Sequence, residues 1–293
     1  KKKKKKISQK LDSNDEFVRY SVVRPRDTEG TAYVVFRGSQ TTTDWLSNLN
    51  AMPLKVKEYG FRVHSGMHAQ LQHKALEELI DLFLTEKLVI TGHSLGAGYA
   101  VLAAADLLGA LGINYPMAVY TFGAPLVIEK NAAIISAIGR ILEKIVYNFV
   151  NQFDVIPRLQ TSASFPYLSN LIGQTVDLIL KGKGGIFALG ATFLDFRRLG
   201  ATLFKDNCNL EKLHELCQQS YGPIGNYYLL FDKYLPCKVS KSEIYVRMES
   251  EKLLSLLPKY KELHPLELHR DHRSFHYYCK IAFLEMNTAN NEN

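Results

Sequence analysis

Short apolar runs alternate with segments of helical apolar spacing along most of the chain. Runs typical of strands are Phe17–Arg24, Ala32–Arg37, Lys87–Thr91, Met117–Phe122, Ile145–Val150 and Asn226–Asp232. Segments typical of helices are Thr41–Asn50, Met67–Leu84, Ser94–Leu108, Lys130–Leu142 and Glu251–Leu257. Strands that alternate with helices are typical of a mostly parallel sheet with helices on both faces. The pattern therefore predicts an α/β fold.

The regular alternation is lost after Pro157. Between about residues 161 and 220, the chain carries a segment of helical apolar spacing, followed by glycines and then phenylalanines. We predict a single domain over residues 11–293, with a helical insertion at 161–220. This insertion is interpreted either as a packed extra subdomain or as an interfacial membrane-binding element or enlarged lid. Its apolar runs are too short and too interrupted to span a bilayer.

The strongest chemical motif is the G-x-S-x-G segment Gly92-His93-Ser94-Leu95-Gly96, between a predicted strand and a predicted helix. A nucleophilic hydroxyl must project from a tight turn there, and side chains larger than hydrogen at the two glycines would clash. We predict Ser94 as the nucleophile and the Leu95 N–H as an oxyanion donor. His93 lies on the wrong side of this turn to act as a base, and we predict a structural role for it.

Composition and charge narrow the classes of function. The chain is 46% hydrophobic and 22% charged, which is typical of a globular protein. Lys1–Lys6 contribute six of the seven net positive charges, so the nearly neutral remainder does not indicate a nucleic-acid partner. We predict a disordered basic tail at residues 1–10, with attraction to anionic lipid headgroups as the alternative.

The cysteines do not form the paired motifs of metal or redox sites. None of them is part of a C-x-x-C pair; they are Cys208, Cys217, Cys237 and Cys279. We predict four free thiols, which are typical of a reducing compartment, and no metal or other cofactor. A cytoplasmic or peripherally membrane-associated protein is therefore favoured over a secreted one.

Six ordered segments together resemble the fungal-type class 3 triacylglycerol lipases of the α/β-hydrolase superfamily. They are FRGS at 36–39, DWLSNL at 44–49, VHSGM at 63–67, ITGHSLGAG at 90–98, TFGAP at 121–125 and NQFDVIP at 151–157. The resemblance is strong over residues 30–160 and looser over the final 70 residues. It implies an α/β-hydrolase fold, with the helical insertion following the catalytic acid.

The resemblance also implies roles for individual residues. Asp154 matches the acid that orients the catalytic histidine, and Ser39 matches an oxyanion-hole residue that acts together with Leu95. Residues 40–51 match the lid helix of the family. Its apolar residues face either a lipid interface or the protein interior; they are Trp45, Leu46 and Leu49.

The catalytic histidine is expected after Asp154, because the chain order in this fold is serine, acid, histidine. Family members carry a C-terminal histidine that is followed a few residues later by tyrosine and an apolar helix. The segment DHRSFHY at 271–277 fits this pattern best with His272. His269 and His276 are the alternatives.

The resemblance implies hydrolysis of carboxylic esters in acylglycerols or phospholipids, as a lipase or phospholipase A1. The substrate would be met at a membrane or droplet surface, and the reaction would pass through an acyl-enzyme. Two alternatives remain open, because a fold does not determine a function. One is a scaffold or signalling protein that has lost turnover, and the other is a soluble esterase of non-lipid substrates.

Overall fold

The computed structural model describes residues 20–25, 30–38, 53–71, 86–112, 116–152, 154, 156–158, 220–230, 245–255, 272–278 and 280–281. Their strands are β1 (Tyr20–Val23), β2 (Thr31–Phe36), β3 (Pro53–Val56), β4 (Phe61–His64), β5 (Lys87–His93), β6 (Met117–Phe122), β7 (Ile128–Glu129), β8 (Val146–Asn151), β9 (Tyr221–Gly222), β10 (Asn226–Leu230) and β11 (Tyr245–Met248). Their labelled helices are α1 (Ser65–Leu71), α2 (Leu95–Leu111), α3 (Ala132–Ile135), α4 (Ala137–Ile145) and α5 (Ser250–Ser255). The predicted tail at 1–10, the lid segment 40–51 and residues 161–219 of the insertion lie outside the described residues.

A mostly parallel sheet forms the centre of the described chain. Its strand order is β1-β2-β5-β6-β8-β10-β11, in which β1 and β11 are antiparallel to their neighbours and the five strands between them are parallel. Phe36 pairs with Gly92, and His93 pairs with Phe122, so these strands end together. Ligands in open α/β sheets bind beyond the carboxyl ends of the strands. The predicted nucleophile follows β5 at this edge.

Helix α2 is the buried helix on one face of the sheet. Residues 95–108 of this helix are all buried, and small side chains such as Ala100 and Ala104 allow close packing. A helix that is apolar on all sides is typical of a protein core. A Cβ on Gly98 would meet the side chains of Met67 in α1 and of Pro125 and Val127, so the absence of a side chain there lets these residues approach α2 closely.

The other face of the sheet carries aromatic side chains, because alternate residues of a strand point to opposite faces. Tyr120 stacks on Tyr147 with 5.1 Å between ring centroids, and Phe122 stacks on Phe149 with 5.4 Å. The ring of Tyr277, in the helical residues 274–278, contacts Phe122 at 5.9 Å. A helical segment therefore contacts this second face as well, as the sequence predicted. None of the helices in the described ranges combines the length and the apolarity needed to cross a membrane.

Two parts of the fold differ from the sequence-based expectations. A small antiparallel sheet, of order β3-β4-β7-β9, was not predicted, because its strands have only two to four residues each. The single helix predicted over Lys130–Leu142 is wrong, since Ser136 adopts an extended conformation that separates α3 from α4. The Ser136 hydroxyl accepts from the Gly139 N–H and donates to the Tyr59 carbonyl, which caps α4 and ties it to β3–β4.

A buried polar cluster lies where α1 meets α2. The Tyr59 hydroxyl is 3.0 Å from His68 Nε2, and that nitrogen is 3.3 Å from Asp106 Oδ1. Burial, together with the negative charge of Glu58, raises the pKa of Asp106 to about 7. Burial also lowers the pKa of His68. Both shifts favour the neutral forms of the two side chains.

We expect Asp106→Asn to stabilise the protein increasingly as the pH rises from about 4 to about 7. The folded-state pKa of Asp106 lies above its unfolded value, so stability present below the unfolded pKa is lost as pH rises through the folded pKa. The amide does not ionise and therefore does not lose this stability, which amounts to on the order of 4 kcal/mol. Denaturant midpoints of both proteins, measured at about pH 4 and again just above about pH 7, provide the test. A difference in midpoint that does not change with pH would contradict the prediction.

Candidate active site

Ser94 occupies a strained turn between β5 and α2. Its φ of 59° and ψ of −128° are unusual for a residue with a side chain. Its N–H donates to the Phe122 carbonyl at 2.9 Å, which anchors the turn to β6. A Cβ on Gly92 would collide with the backbone of Gly96, and one on Gly96 would lie 2.5 Å from the Phe36 carbonyl oxygen. The two glycines therefore relieve the crowding that the sequence predicted.

The structure brings Ser94, His272 and Asp154 together from three distant parts of the chain. Ser94 Oγ lies 2.8 Å from His272 Nε2, and His272 Nδ1 lies 2.9 Å from both carboxylate oxygens of Asp154. An ionised carboxylate only accepts, so Nδ1 carries the proton and Nε2 can accept from the serine hydroxyl. Asp154 is completely buried, whereas the His272 side chain is 17% exposed.

Of the two alternative histidines, the described residues include His276, which has no contact with the Ser94–His272–Asp154 arrangement among its described interactions. The His276 ring contacts Phe275, with 6.0 Å between the ring centroids. His269 lies outside the described residues.

Three donors converge on the carboxylate of Asp154. Besides His272, the Tyr277 hydroxyl donates at 2.5 Å and the Ile156 N–H donates at 2.9 Å. Burial by itself would raise the pKa of Asp154, but His272, Tyr277 and the Ile156 N–H together hold it below its ordinary value. Asp154 is therefore ionised at neutral pH, as an orienting acid requires.

Tyr277 and Arg158 support the site but were not identified from the sequence. Tyr277 is buried, and its oxygen also accepts from the Asn151 N–H at 2.9 Å. The buried Arg158 guanidinium donates to the carbonyls of Asp154, Gln152 and Leu253. The position of Tyr277, five residues after His272, was only a weak indication that this tyrosine supports the site. Arginine is seldom fully buried, so nothing in the sequence indicated that Arg158 would lie inside the protein beside the acid.

The predicted oxyanion hole is described only in part. Leu95 is the first residue of α2, where a backbone N–H has no acceptor within the helix and the helix dipole is positive. Gly38 lies against the turn: a Cβ there would be 2.8 Å from the His93 carbonyl oxygen and 3.7 Å from Ser94 Cβ. Ser39, which follows Gly38, lies outside the described residues. The same holds for the lid residues Trp45, Leu46 and Leu49.

Gly123 adjoins the Asp154–His272 pair. Its φ is +62°, and a Cβ on it would collide with Asp154 Oδ2 and lie 3.1 Å from the Tyr277 oxygen and 3.2 Å from His272 Cε1. Each of these atoms belongs to a residue of the hydrogen-bonded network around the carboxylate. The absence of a side chain at this position is therefore a requirement of the site.

We expect Gly123→Ala to lower kcat by at least about 100-fold, because a methyl group would displace the groups that orient His272. Gly30→Ala is the matched control. Gly30 has a similar φ of +73° but no atom within 4 Å of the added Cβ, so only the backbone strain is reproduced. Steady-state kinetics and thermal unfolding of both variants separate the two effects. Equal loss of activity in both variants would contradict the proposed cause.

A serine on a strained turn at the carboxyl edge of a mostly parallel sheet, in contact with a histidine–aspartate pair, defines an α/β-hydrolase. A family model described as "Lipase (class 3)" matches residues 33–163. Residues 33–163 of the chain therefore resemble the class 3 lipases.

The similar proteins cover only part of this chain. A lipase from Rhizomucor miehei is 31% identical over 156 residues, which are 49% of this chain and 41% of that protein. A solved structure of the Rhizomucor miehei triacylglyceride lipase is 28% identical, with a TM-score of 0.41, over 50% of this chain and 57% of that one. Lipase II from Rhizopus niveus is 25% identical, with a TM-score of 0.39, over 48% and 56%. The chain therefore spans less than half the length of the curated Rhizomucor relative.

Proposed function

We propose that this protein hydrolyses carboxylic ester bonds of lipids, with Ser94, His272 and Asp154 as its catalytic triad. The observation that supports this most is the unbroken line of hydrogen bonds from Ser94 Oγ through the imidazole to a buried carboxylate. A nucleophile within hydrogen-bond reach of a base, with the base oriented by a third group, is the arrangement that acyl transfer needs.

The reaction would proceed in two stages. His272 Nε2 takes the hydroxyl proton as Ser94 Oγ attacks the ester carbonyl, and the same proton then leaves with the alcohol. Asp154 stabilises the imidazolium that forms in between. Water, deprotonated by His272, then attacks the carbonyl of the acyl-enzyme. The ester bond to Ser94 Oγ breaks, His272 returns the proton to Oγ, and the fatty acid is released. No step requires a metal or another cofactor.

Charge on the carbonyl oxygen would be stabilised by the Leu95 N–H and by Ser39. Leu95 supports this role through its position at the helix terminus, next to the nucleophile. Gly38, which precedes Ser39 in the chain, lies against the turn that carries Ser94, and this supports the role proposed for Ser39. We further propose that residues 40–51 form the lid, with Trp45, Leu46 and Leu49 toward a lipid surface.

The substrate proposal is an acylglycerol or a phospholipid, presented at a membrane or droplet surface. It is supported by the family of residues 33–163 and by the relative named as a triacylglyceride lipase. The test is fatty-acid release from emulsified triacylglycerol, diacylglycerol and phospholipid, with Ser94→Ala as the blank. A short-chain ester in solution, below and above its solubility limit, serves as the comparison.

The possible outcomes separate the alternatives. Serine-dependent release from an emulsion, with a higher rate above the solubility limit, supports a lipid hydrolase, and the preferred lipid identifies its class. Activity on the soluble ester alone would favour a non-lipid esterase. A folded wild-type protein that is inert on every substrate, and whose Ser94 does not react with a fluorophosphonate, would favour the scaffold alternative.

A further inference from the structure

We infer that His93 is a positioning residue that holds the main chain of His272 in register with Ser94. The inference rests on the proposed hydrolase function. His93 immediately precedes the nucleophile, and its side chain reaches the residue proposed as the general base. The sequence predicts a structural role for His93 and not the role of the base. The contact it makes gives it a specific task within the site.

The contact between the two histidines is a directed hydrogen bond. His93 Nε2 lies 2.6 Å from the carbonyl oxygen of His272. A carbonyl oxygen only accepts, so the proton of the His93 ring is on Nε2. The two imidazole rings also pack against each other, with 4.8 Å between their centroids at an angle of 31°. His272 is therefore restrained at its backbone and along one side of its ring.

The position of His93 in the fold makes this restraint effective. It is the last residue of β5, and its backbone pairs with Phe122 of β6, so its own place is set by the sheet. The same strand carries Ser94 into its turn. The hydrogen bond thus fixes the position of the His272 main chain relative to β5, the strand that leads into Ser94. Tyr277 packs on the ring of His93 at 5.6 Å and limits its movement further.

His93 can keep this role while the charge of His272 changes. Burial, and then the positive charge of a protonated His272, lower the pKa of His93 to about 4, although its bond to the His272 carbonyl and the charge of Asp154 oppose this. At neutral pH the ring is an uncharged donor. It neither competes with His272 for the serine proton nor repels the imidazolium. A cationic side chain at this position would repel the imidazolium of His272.

The test compares a substitution that keeps a donor with one that keeps a ring. In His93→Gln the side-chain amide can still donate to the carbonyl, whereas in His93→Phe the ring remains without a donor. We expect His93→Phe to lower kcat on a soluble ester by up to about 100-fold, with little change in KM, because misplacement of a base affects the chemical step. His93→Gln should keep most of the activity. His93→Met provides a smaller variant without a donor if His93→Phe does not fold.

A second readout does not depend on turnover. The proton between His272 Nδ1 and Asp154 should give a far-downfield proton resonance, and it should broaden or vanish in His93→Phe but persist in His93→Gln. Wild-type kcat and a wild-type resonance in His93→Phe would overturn the inference and leave the hydrolase proposal standing. Equal damage in both variants, in step with their thermal stability, would also overturn it. An inert wild type whose resonance depends on His93 in the expected way would overturn the hydrolase proposal and support the positioning.

Discussion

Ser94→Ala and His272→Ala are each expected to lower kcat by about a millionfold, and the double variant is expected to lose little more. The reason is that the hydroxyl and the imidazole act as one unit across the 2.8 Å contact between them. Removal of either group leaves the other without a partner in the proton transfer. The residual rate would come from substrate binding and from the oxyanion donors.

Turnover of a soluble ester by the two single variants and the double variant provides the measurement, with thermal unfolding as the check on folding. His276→Ala is the matched control, because His276 lies four residues from His272 and contacts Phe275 instead of the site. It should keep wild-type kcat. Additive losses in the double variant, or a large loss in His276→Ala with an active His272→Ala, would show that the base is assigned wrongly.

Asp154→Asn is expected to lower kcat by about 10,000-fold while the fold is kept. The carboxylate of Asp154 only accepts, and the donors around it come from His272, Tyr277 and the Ile156 N–H. An amide must turn its NH₂ group toward one of them. If that partner is His272, the imidazole takes the other tautomer, and its Nε2 then carries a proton and cannot accept one from Ser94.

Asp106→Asn is the matched control for this substitution, since it makes the same change at another buried aspartate, between α1 and α2. It should leave kcat unchanged. The pH dependence of kcat/KM, measured for both variants and the wild type, would reveal whether any remaining activity follows a different titration. An Asp154→Asn protein with near wild-type kcat would rule out Asp154 as the orienting acid.

Much of the scaffold could be predicted because its signals are local. The apolar run at Lys87–Thr91 and the alanine-rich segment after it became β5 and α2, since the length of each segment, the glycine between them and their residue types distinguish a buried strand from a buried helix. The short strands β7 and β9 had no such signal. Two residues cannot show a period, and their pairing depends on chain segments about ninety positions apart.

The sequence by itself determined the fold class, the resemblance to the class 3 lipases and the strained turn at Ser94. Adjacent residues impose the steric demands of that turn, and the order of six short motifs produces the resemblance. Only the tertiary structure decided which C-terminal histidine meets Ser94, because three candidates lie within eight positions and local pattern hardly separates them. It alone placed Tyr277 and Arg158 around the acid and His93 against the base. These contacts join residues that the folding of the sheet brings together, and no spacing along the chain encodes them.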